Sequence, residues 1–129
     1  MNIEKLKLIY EDYLKRLPKF TKMGDYYNNR TDAMKLYKMI TDRSSLKTNT
    51  NFIKLFIDEE VSYSLGNDIT YSSRSDDQEL IKKVNYAMTK LSSSHDIRLL
   101  SDMLIYSIAY ELYYIDRDGD FNSKVILPT

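Results

Sequence analysis

Side chains able to do chemistry are few in this sequence and poorly spaced for it. His95 is the only histidine; three serines precede it and Asp96 follows. A catalytic reading makes it a general base steered by a carboxylate. Against that, adjacent positions at a helix start diverge around the axis, and a polar residue near a helix start is the plainer account. Asp116, Asp118, Asp120 and Asn122 alternate like a calcium loop. An EF-hand needs glycine at its sixth position and glutamate at its twelfth, where this chain has Phe121 and Leu127. An acidic hairpin turn in solvent explains them. Asp58, Glu59 and Glu60 are consecutive on a helix, so they spread over its surface and do not converge as a paired-carboxylate site.

Other chemistries lack their parts. The three glycines, at 24, 66 and 119, are too scattered to bring backbone N–H groups around a phosphate. With no cysteine there is no disulfide, thiolate metal site or thiol nucleophile. We therefore expect no catalytic residue, no cofactor site, no metal site and no enzyme. Basic residues interleave with aromatics over the first forty positions (Lys15, Arg16, Lys19, Phe20, Lys22, Tyr26, Tyr27, Arg30, Lys35, Tyr37, Lys38), which could offer stacking platforms to nucleic acid. Nineteen basic residues balance nineteen acidic ones, however, so no overall field draws the chain to DNA or to an anionic membrane.

The elements that must position these residues follow from periodicity. At 129 residues, 43% apolar and 29% charged, the chain fits a single folded domain over 1–129. Ile3, Leu6, Tyr10, Tyr13, Leu14 and Leu17 predict an amphipathic helix over 2–17, stopped by Pro18. Lys19 to Asn29 reads as a loop, 31–40 as a short helix, and 41–50 as irregular. From Asn51 a second strong helix carries Phe52, Leu55 and Phe56 on one stripe and Ile53, Ile57 and Val61 on another, which predicts burial on two sides, by other elements or by a neighbouring subunit. Gly66 suits a left-handed C-cap, and Ile69 to Ser72 alternates like a short strand. Ser75 to Gln78 has capping-box spacing before a helix over about 76–91, and a further, mostly buried helix spans 96–106. From Ile108 the period becomes two, and Asp118-Gly119 marks the turn to a return strand, Phe121 to Leu127. The expected class is α+β: about four helices, a short one among them, then a C-terminal β-hairpin. Twelve tyrosines without a tryptophan point to half-buried, interface-like surface.

Four segments, in order, resemble the start of SPP1-like phage portal proteins. They are the paired-tyrosine turn Tyr26-Tyr27-Asn28-Asn29; the helix from Phe52 to Val61 running into Tyr63-Ser64-Leu65-Gly66 and Asn67 to Tyr71; Ile105 to Tyr114; and the turn Asp116 to Asp120 with the closing Val125-Ile126-Leu127-Pro128. Where that family usually carries glycine after the tyrosines and at the helix-to-strand junction, this chain has Asn29 and Ser107. Both must then accept geometry that glycine takes without strain.

The resemblance implies a structural role in the portal vertex of a virion, assembled in the host cytoplasm. This segment would be the outer wing of a ring through which DNA is packaged and ejected, with the stem, tunnel loop, clip and crown lying beyond Thr129. Partners would be other portal subunits and capsid or scaffolding protein, with neither direct DNA binding nor a membrane. The subunit-facing residues expected are Phe52, Leu55, Phe56, Ile57, Val61 and Tyr63. The competing reading is a free-standing prophage-encoded binding protein, or portal remnant, acting on phage assembly components.

Overall fold

A computed structural model describes residues 3–36, 49–67, 69–91 and 94–129. Within these residues five helices lead into one hairpin: α1 (Ile3–Tyr27), α2 (Asp32–Leu36), α3 (Phe52–Ser64), α4 (Gln78–Thr89), α5 (His95–Tyr106), β1 (Tyr110–Ile115) and β2 (Phe121–Ile126). The class is α+β, as the periodicities predict. No helix among the described residues is long and apolar enough to cross a membrane.

The largest correction concerns α1, which runs through Pro18 for 25 residues and does not stop there. Proline cannot donate to the carbonyl of Leu14, a loss that usually ends or bends a helix. The apolar stripe outweighs it: Leu6, Tyr10, Tyr13 and Leu17 continue at helical spacing into Phe20 and Gly24, both buried. The stretch read as a loop is thus the buried half of the helix. Its end is a Schellman motif, in which Arg30 N–H donates to the Asp25 carbonyl (2.7 Å) and Asn29 N–H to that of Tyr26 (3.0 Å). Asn29 takes the left-handed position, φ 63°. Tyr26 and Tyr27 therefore close the helix, and the turn follows them.

Helix α2 begins where Thr31 accepts from the N–H of Met34, and the rest of the short helix expected over 31–40 lies outside the described residues. Asn51 caps α3 as expected: its side chain accepts from Lys54 N–H (3.1 Å) and donates to the Tyr27 carbonyl (2.7 Å), fastening the start of α3 to the end of α1. Gly66 is not left-handed; α3 ends at Leu65, whose N–H reaches the Val61 carbonyl. Residues 69–72 form no strand, and among the described residues nothing pairs with them. The cap of α4 is Asp77, which accepts from Leu80 N–H (3.0 Å), and not Ser75. Asp76 at φ 57° carries the chain into that cap.

The antiparallel hairpin pairs Tyr110 with Ile126 and Ile115 with Phe121. Its turn has Gly119 N–H donating to the Asp116 carbonyl (3.2 Å), Asp116 N–H donating to the Asp120 carbonyl (2.9 Å), and Gly119 at φ 84°. This is a type I turn closed by a glycine bulge, a favoured three-residue connection. The strand starts at Tyr110, two residues later than the alternation suggests, because Ser107 turns left-handed at the end of α5 (φ 59°). Helix α5 is not mostly buried: Ile97 and Met103 are about half exposed, and only His95 and Tyr106 are fully inside.

The core sits where α5 meets α1, α3 and β2. Among the described residues it comprises Phe20, Val61, Tyr106, Val125 and Pro128, with the rings of Phe20 and Tyr106 edge to face at 6.5 Å.

Candidate functional site

The two terminal tyrosines of α1 hold different neighbours. The Tyr26 hydroxyl donates to Asp32 (3.1 Å) on α2, and Lys22 pairs with the same carboxylate at 2.8 Å. The Tyr27 hydroxyl donates to Asp58 (2.9 Å) on α3 and accepts from Lys54 (3.0 Å), whose ammonium also lies 4.8 Å from the ring centre. The Tyr27 hydroxyl and the Asp58 carboxylate raise the Lys54 pKa, and Lys54 in turn lowers that of Asp58. Arg16, Arg30 and Lys35 are also paired, with Asp12 or Asp25. Most of the described cations that suggested nucleic-acid stacking are thus locally neutralised, while Tyr37 and Lys38 lie outside the described residues.

Helix α3 has two apolar sides, as its sequence predicts, and the structure divides the expected interface residues between them. Val61 is buried against the rest of the chain. Ile57 is half-buried and lines a groove of about 390 Å³ with Met23, Tyr26, Leu104 and Ile105. Phe52, Leu55, Phe56 and Tyr63 point outward, from 48% exposed at Leu55 to 86% at Tyr63. At 100° per residue, Phe52, Phe56, Glu59 and Tyr63 form the face opposite Val61. The Phe52 and Phe56 rings stack at 6.2 Å, making one apolar knob.

A second apolar surface escaped the sequence reading. The stripe of α1 that is covered at Phe20 and Gly24 lies open at Leu6, Ile9 and Tyr10. With Tyr13, Tyr110, Ile126 and Leu127 these residues line a groove of about 560 Å³ between α1 and the hairpin. The Tyr13 hydroxyl closes one end by donating to the Pro128 carbonyl (3.4 Å). The signal was present in the shared face of Leu6, Tyr10, Tyr13 and Phe20, but the stop assigned to Pro18 cut it in two.

The third feature is polar. His95 is buried, with Nδ1 2.9 Å from Asp96 and Nε2 2.9 Å from Glu111 and 2.8 Å from the Ser123 hydroxyl. Adjacent His95 and Asp96 thus do meet, contrary to the helix-geometry argument. Serine, histidine and aspartate in line resemble a nucleophilic triad, but Glu111 alters the chemistry. Its carboxylate accepts a hydrogen bond from the Ser123 hydroxyl (2.5 Å) and would repel an oxyanion forming there. Tyr113 donates to its other oxygen at 2.6 Å. Burial pushes the Glu111 pKa up, but the Ser123 and Tyr113 hydroxyls and His95 outweigh it and hold the carboxyl below its ordinary range. The cluster ties the first turn of α5 to both strands.

At the hairpin turn, Asp116 accepts from the N–H groups of Asp118 (3.0 Å) and Asp120 (2.9 Å), and Asp120 pairs with Lys90 beyond α4. These carboxylates brace a turn. Among the described residues no cluster of metal-ligating side chains forms.

Compared with known proteins, residues 6–129 match the family model described as phage portal protein, SPP1 Gp6-like. No curated protein and no solved structure matches the chain.

Proposed function

Since the chain belongs to the SPP1 Gp6-like family of phage portal proteins, a structural family of the virion, we propose that it is the outer wing segment of a portal ring. In that role it packs against neighbouring subunits during assembly in the host cytoplasm and performs no catalysis of its own. One observation carries this reading. Large apolar side chains lie open in two places among the described residues, Phe52, Phe56 and Tyr63 on the outer face of α3 and Ile3, Leu8 and Ile9 on the N-terminal half of α1, and contiguous apolar surface of this kind marks a protein contact.

Paired cations and a net charge of zero support a segment that touches protein and not DNA. The test adds excess 129-residue protein to unassembled full-length portal of the family and reads ring formation by sedimentation, beside a titration with duplex DNA. Ring yield should fall, while DNA binds no tighter than about 10⁻⁴ to 10⁻⁶ M at physiological salt. Sub-micromolar, sequence-selective DNA binding with no effect on assembly would overturn the proposal.

A further inference from the structure

We infer that the stacked Phe52–Phe56 knob of one copy of this chain seats in the α1–hairpin groove of the next. The inference deepens the portal-ring reading and rests on it only for closure of the contact into a ring.

The fit is one of size, polarity and charge. A cavity of roughly 150 Å³ holds a benzene ring, so the groove of about 560 Å³ has room for two phenyl groups. Both surfaces are apolar and open, with Phe56 63% exposed on one and Ile9 60% on the other. Each carries one charge: Lys7 lines the groove, and Glu59 sits on the knob face between Phe56 and Tyr63. Neither makes an ion pair among the described residues, whereas Arg16, Lys22 and Lys35 on α1 and α2 do. The contact therefore places opposite unpaired charges together.

Geometry fixes the kind of assembly. The hydrogen bond from Asn51 to the Tyr27 carbonyl places the knob at the C-terminal end of α1. The groove lies around Tyr10, near the other end. Seventeen residues of helix separate them by about 25 Å, so no chain fills its own groove. A knob and a groove at opposite ends make a head-to-tail contact that repeats from copy to copy, and not a two-fold one.

Cysteine trapping tests this in the intact chain, which contains no cysteine of its own. Phe56→Cys protein is mixed with Ile9→Cys protein under mild oxidation, and with Ile69→Cys, another exposed position, as control. The matched pair should cross-link about tenfold faster than the control. Lys7→Glu should suppress trapping, and Glu59→Lys in the partner molecule should restore it. Equal rates for matched and control pairs, or faster Phe56→Cys self-pairing, overturn the inference. Failed trapping with reduced ring yield overturns the inference and leaves the portal reading standing, whereas successful trapping with unchanged ring yield and sub-micromolar, sequence-selective DNA binding removes the portal reading and keeps the contact.

Discussion

Tyr106 lies across Gly24 so closely that a β-carbon at position 24 would stand 2.9 Å from the phenol oxygen and 3.3 Å from the ring. Alanine in a helix gains about 1 kcal/mol over glycine, but overpacking a well-filled core costs about 1–3 kcal/mol. Gly24→Ala should therefore destabilise by about 1 kcal/mol net in urea unfolding. In a Tyr106→Phe background the oxygen is gone, and the same substitution should become neutral or stabilising. An identical effect in both backgrounds would show that the two residues are not coupled.

Ser107 occupies left-handed backbone at φ 59°, where an L-residue pays about 1–2 kcal/mol. Ser107→Gly relieves that cost but adds chain entropy to the unfolded state, for a net gain of about 0.5–1 kcal/mol. Asn29→Gly should gain nothing, because asparagine tolerates this geometry and its side chain accepts from Asn49 (2.8 Å). A thermal melt that places Ser107→Gly below the parent contradicts the assignment of strain.

Gly119 has φ 84° and open space on its side-chain side. Any loss on substitution is then backbone strain alone. Gly119→Val should cost about 1 kcal/mol or more and Gly119→Asn distinctly less. Equal melting temperatures for glycine and valine would mean that the turn adopts another geometry in solution.

The lowered pKa of Glu111 gives stability a pH dependence of definite sign. Its carboxylate is favoured in the folded chain, so its contribution is complete above the ordinary glutamate range and fades as pH falls through the folded value. Glu111→Gln should cost about 1–3 kcal/mol at neutral pH, as a charged acceptor of buried hydrogen bonds is lost. The gap between parent and variant should narrow steadily on acidification. A gap that widens toward low pH would reverse the assignment.

Helix positions and the hairpin were legible because apolar period and turn chemistry act locally. Asn51 and Gly119 do what their types announce. Pro18 misled, since a local rule about one missing N–H lost to packing of Phe20 and Gly24 against elements far along the chain. Ser75 misled because Asp77, two residues on, offers an equivalent cap that the spacing rule passed over. That α3 carries two apolar stripes was readable from its spacing. Which stripe faced inward was not, because it depends on where α1 and α5 pack. The His95 cluster was hidden for the same reason: Glu111 and Ser123 lie 16 and 28 residues away and meet His95 only through the hairpin register.

Pro18 has one more consequence, in the time domain. It interrupts the hydrogen-bond ladder of α1 between a half clamped by α3 and α5 and a half whose apolar stripe lies open. A ladder broken there unzips from one side without disturbing the other. Backbone amides of residues 7–17 should exchange with deuterium through cheap local opening, whereas those of 21–27 should wait for global unfolding. Docking of a neighbour on the open half would slow its exchange selectively. The first four turns of α1 would thereby report, amide by amide, whether a subunit has been joined.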